Sequence, residues 1–329
     1  MAEHNGMNRR TLIAAAAALP LAAKAAAAAP YRVVANGLLY PECPVEMPDG
    51  SILIVEIARK TLTRIARDGS TRIIAELGGG PNGLAIGSDG AAYVANNGGL
   101  TFQRVDGALR VLGVPEDYRG GSIQRVDLAT GAVTTLYTHA ASYRLNAPND
   151  LVFDGSGGFW FTDTGKDRAR ERDNGGVYWA KIDGSEIREV VFPLQKPNGI
   201  ALSPDRKTLY VVLNEQRMII AYEIAGPGRL AMDGARPRRR LVAGLDRQPI
   251  DNISVEAGGN IIAACCVPGG LTVFAPEDGR IVERYPLDDI LVTSLGFGGR
   301  DLRTAYVTLA STGRLIAIPW PRAGLPLLG

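Results

Sequence analysis

The sequence predicts an all-β fold, a six-bladed β-propeller with four-stranded blades, and three observations lead there. From Leu39 onward, short runs of alternating apolar and β-branched residues are divided by Asp-Gly, Gly-Gly and Pro-Asp turns at roughly 10-residue intervals, the spacing of an all-β chain. Outside the amino-terminal segment no stretch keeps helical periodicity beyond a turn or two. A short motif also recurs. Pro81-Asn-Gly-Leu-Ala-Ile86 returns as Pro148-Asn-Asp-Leu-Val-Phe153 and Pro197-Asn-Gly-Ile-Ala-Leu202. Weaker copies are Pro41-Glu-Cys-Pro-Val-Glu46, Ile250-Asp-Asn-Ile-Ser-Val255 and Val292-Thr-Ser-Leu-Gly-Phe297. With 40 glycines and 20 prolines in 329 residues turns are plentiful, and 46% hydrophobic residues suffice for a sizeable core.

Taken in order, the chain opens on an export signal, residues 1–25. Arg9 and Arg10 precede an apolar run, Leu12 to Ala23, of about 12 residues, too short for the ~20 that span a bilayer. Ala23-Lys24-Ala25 has the form of a cleavage site, with cleavage before Ala26. The paired arginines resemble a twin-arginine signal, whose cargo crosses the twin-arginine translocase already folded. The expected address is the periplasm, with no stable membrane span after processing. An ordinary secretory signal or an uncleaved anchor is the competing reading.

Residues 26–35 read as a linker that contains a strand, Tyr31-Arg-Val-Val34, and residues 36–329 as one propeller domain. Each motif copy begins the innermost strand of a blade. A turn and a second strand follow, such as Ala92-Tyr-Val-Ala95, Phe159-Trp-Phe-Thr162 and Leu209-Tyr-Val-Val212, and two more strands complete the unit. The keyed positions 42, 82, 149, 198, 251 and 293 lie about 50 residues apart, a usual blade repeat. The longest step holds an insertion around Thr101–Gly121, expected as a loop over one face. The last blade shows three strands, ending in Gly313–Trp320. Tyr31–Val34 supplies its fourth, which closes the ring and removes open sheet edges.

Equivalent repeat positions return to equivalent places about a propeller's central channel. The six keyed residues, Glu42, Asn82, Asn149, Asn198, Asp251 and Thr293, are therefore expected at the axis. All are polar where a packed channel would hold small apolar side chains. Burying two carboxylates and several amides unpaired would be costly, and a cation is the simplest solution. For Asn82 alone, plain turn chemistry is the better reading. Glu42, Asn149, Asn198 and Asp251 form the expected metal set. Their oxygen donors suit Ca2+ or Mg2+ better than a soft metal, with Mn2+ or Zn2+ left open.

With Pro48-Asp-Gly50, Gly78–Gly83, Tyr93–Gly99, Gly120–Asp127, Gly298–Val307 and Gly324-Leu-Pro326 added to these motifs, residues 36–329 resemble the senescence marker protein/gluconolactonase/luciferin-regenerating-enzyme-like family. That family consists of calcium-dependent propellers and includes lactonases and a diisopropyl-fluorophosphatase-like branch. The resemblance implies that Glu42, Asn149, Asn198 and Asp251 ligate the metal, that Asn149 also faces substrate, and that Asp251 carries the chemistry. The expected reaction is hydrolysis of a cyclic ester on a metal-polarised carbonyl, with Asp251 as general base or nucleophile. Organophosphate or aryl-ester cleavage at the same site is one alternative. A non-catalytic propeller that binds a ligand or protein around a structural calcium is the other. Sugar lactonases of the family often place an arginine two residues before the Asn149 equivalent; here Ala147 stands there. Asn97, Asp150 and Asp163 are further substrate-side candidates. Strict strand alternation would turn Asp150 away from the axis, to orient Asn149 from behind.

Other classes fall away. Lys and Arg number 36 against 34 Asp and Glu, which gives no electrostatic footprint for nucleic acid. The cluster Arg236, Arg238, Arg239 and Arg240 is short and is expected in a solvated inter-strand loop. A Ser/His/Asp triad would have to use His139, since His4 lies in the export signal, and His139 falls by an outermost strand. Gly78-Gly-Gly80 lacks the helix and Lys-Ser/Thr of a phosphate loop. Three cysteines make no disulfide scaffold. A Cys43 bridge to Cys265 or Cys266 competes with the simpler reading of small apolar fillers.

Overall fold

The computed structural model describes residues 30–327, so the export-signal segment lies outside the described residues. Within them regular structure is strand, with no helix. Six antiparallel four-stranded blades form the ring. Their innermost strands are Pro41–Glu46, Pro81–Ile86, Pro148–Phe153, Pro197–Leu202, Ile250–Val255 and Val292–Gly298, in blades 1 to 6. Each packs against the next all the way round, and blade 6 returns to blade 1. The fourth strand of blade 6 is Arg32–Ala35, which pairs Arg32 with Ala317 and Val33 with Ile316. The predicted closure by the two ends of the chain is thus present.

Burial explains the strand patterns. Second strands such as Ile52–Glu56 and Ala92–Asn96 are buried along their whole length because a neighbouring blade covers each face. Outermost strands such as Thr71–Glu76 face water over most of theirs. Between blades 2 and 3 the filling is aromatic. Tyr93 meets Phe153 edge-on at 5.2 Å between ring centroids, and Phe161 stacks on Tyr178 at 5.1 Å. Each such side chain contributes about 1.5–3 kcal/mol by leaving water.

The innermost strands share an irregularity that shapes the channel. Pairing with the second strand slips between Glu42 and Val45, Pro148 and Leu151, Pro197 and Ile200, and Ile250 and Ile253. A bulge of this kind breaks the alternation of faces and re-aims side chains. Asp150 therefore stays on the channel side, one layer below Asn149, rather than turning away from the axis. This lower layer consists of Cys43, Gly83, Asp150, Gly199, Asn252 and Ser294. A Cβ on Gly83 would lie 2.5 Å from the Asn149 carbonyl oxygen, and one on Gly199 would lie 2.7 Å from the Asn252 Cα. Pro-Asn-Gly is strand here, not turn, and its glycine lets neighbouring strands approach.

The insertion in blade 2 forms a separate hairpin, Thr101–Val105 with Ala108–Gly113. The arginine cluster is not a loop throughout. Arg236 sits in a small hairpin, while Arg239 and Arg240 begin the fourth strand of blade 4, paired with Tyr222 and Ala221. Arg238 pairs with Glu223 at 2.8 Å. Cys43, Cys265 and Cys266 are all free and buried, so the filler reading holds over the bridge.

Candidate active site

Glu42, Asn82, Asn149, Asn198 and Asp251 line one cavity of about 940 Å³ at the end of the channel where the innermost strands begin. The blade 2 insertion forms part of its wall with Val111, Leu112, Val114, Pro115 and Tyr118. Thr293 is the keyed residue that does not reach the cavity. Its short side chain is captured earlier, the hydroxyl donating to the Pro41 carbonyl at 3.3 Å and pairing with Thr308 Oγ1 at 3.0 Å. From that position it hydrogen-bonds Glu42.

The electrostatics at the mouth are unbalanced. Burial lifts Glu42 well above the usual carboxylate range, and the charges of Asp251 and Asp150 lift it further against the Thr293 hydrogen bond. Burial pushes Asp251 up to about 6, opposed by hydrogen bonds from Asn198 and Cys266. Asn198 Nδ2 donates to Asp251 Oδ1 at 2.7 Å. Tyr40, on the same wall, is raised by burial and by both carboxylates. Among the described residues neither acid forms an ion pair, although Lys166, Arg168 and Lys196 line the same cavity.

This donor set fits a hard dication. Two carboxylates and the amides of Asn149 and Asn198 face one space, and a positive ion would relieve the repulsion between Glu42 and Asp251. With its nitrogen committed to Asp251, Asn198 has its carbonyl oxygen free to ligate.

A second set of polar residues, at the ends of the second strands, holds this ring in place. Glu56 Oε2 accepts the Leu39 amide at 2.7 Å, and Asn96 Oδ1 accepts the Gly80 amide at 2.8 Å. Asp163 accepts the Asn146 and Ala147 amides, each at 2.7 Å, and the Gly165 amide at 2.9 Å. Each anchors the segment that leads into an innermost strand. Asp163 is therefore placed behind the cavity wall rather than in the cavity. Burial raises its pKa while the three amides hold it down.

Asp150 is likewise set apart from the mouth. It accepts the Ile200 amide at 3.0 Å, lies 3.8 Å from Cys43 Sγ and lines the other end of the channel; burial pushes it up to about 7. Asn97 does line the mouth, its Oδ1 held by the Gly99 amide at 2.8 Å. Ala147 lines it too, without the arginine of the sugar lactonases. Cys266 lies 3.7 Å from Asp251 Oδ2, and His139 is exposed in a small hairpin away from the cavity. Sequence reasoning missed Lys166 and Tyr118 on the cavity wall. Lys166 follows the blade 3 second strand within Asp163-Thr-Gly-Lys166, and a charge that close to the predicted mouth was the available signal.

Comparison with known proteins bears on the fold and the family. The region described as SMP-30/Gluconolactonase/LRE-like matches residues 40–311. A gluconolactonase from Zymomonas mobilis is 28% identical over 275 residues, which is 75% of this chain and 70% of that protein. Among solved structures, a gluconolactonase from Xanthomonas campestris superposes with a TM-score of 0.70 at 23% identity, covering 89% of this chain and 90% of the other. A calcium-binding regucalcin from Agrobacterium tumefaciens gives 0.72 at 18% identity, covering 91% and 96%. At those identities the structural likeness speaks to the fold.

Proposed function

The chain belongs to the SMP-30/gluconolactonase/LRE-like family, and from that premise we propose that it is a lactonase-type hydrolase dependent on a divalent cation, with Ca2+ the expected ion. The observation that carries this reading is the pair of buried carboxylates, Glu42 and Asp251, that face a 940 Å³ cavity with no ion pair among the described residues. The gluconolactonase relative supports the substrate class, and the calcium-binding neighbour supports the ion.

Glu42, Asn149, Asn198 and Asp251 would hold the cation, which supplies polarisation of the ester carbonyl and charge for the developing oxyanion. Asn198 orients the Asp251 carboxylate by donating to Oδ1, while Oδ2, with only the weak Cys266 thiol at 3.7 Å, is the oxygen for chemistry. Burial raises Asp251 in the cation-free fold, and a bound cation would favour its carboxylate form, the form that accepts a proton from water. Direct attack by the same carboxylate is the other route; single-turnover hydrolysis in ¹⁸O-labelled water separates the two by the label left in Asp251. The apolar wall of Leu100, Val111, Leu112 and Val114, with Ala147 beside it, favours bulky or aromatic esters as a second substrate class.

The test is Asp251→Asn at saturating Ca2+ on a panel of sugar, aliphatic and aromatic lactones with phenyl acetate. Loss of a proton acceptor at this position is expected to lower kcat by about 10²–10⁴-fold. Undiminished turnover would remove Asp251 from the chemistry. Export is part of the same proposal, and amino-terminal sequencing of the protein from the periplasmic fraction is expected to begin at Ala26.

A further inference from the structure

Between the second and third strands of blade 3, residues 164–174 form a loop tied to itself and to the blade. The Asp173 amide donates to the Lys166 carbonyl at 2.9 Å, and the Lys166 amide donates back to Asp173 Oδ2 at 3.2 Å. The Arg168 amide donates to the Glu171 carbonyl at 2.8 Å. This holds Lys166 in one place, with its side chain only 3% exposed. The ammonium crosses toward blade 2, donating to the Gly99 carbonyl at 2.7 Å and to Asn97 Oδ1 at 3.4 Å. It lies 5.3 Å from the Tyr118 ring centroid.

Among the described residues Lys166 makes no direct ion pair, and only the charges of Asp163 and Asp173, neither in contact with the ammonium, favour its charged form. Its cationic neighbours do form ion pairs: Arg168 pairs with Asp173 at 2.9 Å, and Lys196 pairs with Asp167. The nearest acid in electrostatic terms, Asp163, is already committed to three backbone amides. Burial brings the lysine down to about 8, with Arg168 and Lys196 adding to the effect, so it still carries its charge at neutral pH. A methionine would fill the same space without the desolvation of a charge. Lys166 is one of the residues that line the mouth cavity.

We propose that Lys166 anchors an anionic group of the substrate, so that the preferred esters are lactones carrying a carboxylate away from the scissile carbonyl. This rests on the hydrolase reading for its substrate class but not for its binding. Asn97 and Gly99 aim the ammonium, Tyr118 screens it from solvent, and the apolar insertion accommodates the body of the ligand. The ring of oxygens on the axis holds the reacting end, and Lys166 holds the other.

The experiment compares wild type, Lys166→Met and Lys166→Arg with Ca2+ present, on γ-butyrolactone and on its γ-carboxylate. Calorimetry with tetrahydrofuran-2-carboxylate, a ring ether with no bond to hydrolyse, measures binding separately. Loss of one charge-assisted contact is expected to weaken binding of the ring ether by at least about tenfold in Lys166→Met and to raise KM for the carboxylated lactone equally. Turnover of unsubstituted γ-butyrolactone is expected to stay within about twofold, and Lys166→Arg to recover part of the loss. Equal losses on both lactones would make the lysine a mere fastener between loops and overturn the proposal. So would ring-ether binding that is absent in wild type or unchanged in Lys166→Met. Lysine-dependent binding without hydrolysis of either lactone would sustain the anchor and overturn the lactonase reading. Thermal unfolding of each variant confirms that it is folded.

Discussion

Two buried glutamates at opposite ends of the channel show how this fold separates structure from chemistry. Glu256, at the far end, is fully buried and fully partnered. Arg322 Nε reaches it at 2.7 and 2.8 Å, Trp320 Nε1 donates at 2.8 Å and Asn260 Nδ2 at 2.8 Å. That cluster fixes the carboxyl-terminal segment, whose Leu325, Pro326 and Leu327 line a cavity of about 220 Å³ together with Leu151, Phe153 and Phe297. Glu42, at the mouth, is almost as buried and has no ion-pair partner among the described residues. A structural acid brings its cation from the chain, whereas the acid at the mouth leaves that place for a ligand.

Neutralising each glutamate tests the contrast most directly. Glu42→Gln is expected to lower turnover by at least about 10²-fold and to abolish the rise in Tm that Ca2+ gives the wild type, with little loss of cation-free stability. Glu256→Gln is expected to do the reverse, costing about 3–5 kcal/mol in denaturant unfolding while the Ca2+ response of the folded fraction stays. If both variants lost only stability, the difference between the two ends would be one of degree.

Beneath the mouth, Gly199→Ala forces a Cβ against the Asn252 backbone and should destabilise by about 1–3 kcal/mol, read from the urea midpoint. An unchanged midpoint would mean the innermost strands separate freely.

The mouth should also respond to pH. Glu42 and Asp251 have raised values in the cation-free fold, so protonation stabilises that fold, and the benefit is lost as pH rises from about 4 through and beyond 6. Binding Ca2+ must displace those protons. Affinity should therefore increase with pH, by about tenfold per unit for each proton displaced, in titrations at pH 5.5, 6.5 and 7.5. A flat profile would show the acids already ionised. At the far end, Leu327→Ala removes a largely exposed side chain and should shift stability by no more than about 0.5 kcal/mol and leave KM untouched.

The fold was legible because a propeller repeats. Six copies of one motif set the blade count, and an unpaired strand at each end of the chain set the closure. Repeat equivalence also brought Glu42, Asn149, Asn198 and Asp251 to one cavity, since equivalent positions meet at the axis. What escaped was whatever departs from periodicity. A bulge does not show in the alternation of Pro148–Phe153, so the depth of Asp150 was misjudged. Thr293 occupies the keyed position but is too short to leave its own hydrogen bonds. Asp163 has the composition of a ligand and the position of an anchor. Lys166 sits in the link between second and third strands, whose length and sequence differ from blade to blade, so no repeat could point to it.

The closing strand also imposes an order of events. Arg32–Ala35 precedes every blade in the chain, yet it pairs with Arg314–Pro319, about 280 residues further on. Hairpins within blades 1 to 5 form from near neighbours, but blade 6 waits for the whole chain, and contacts so distant in sequence are slow to make. Until that latch shuts, Glu42 in blade 1 lacks the neighbour that joins it, through blade 6, to Asp251 in blade 5. The cation proposed for this ring would therefore find its four oxygen donors assembled only after that latch has shut.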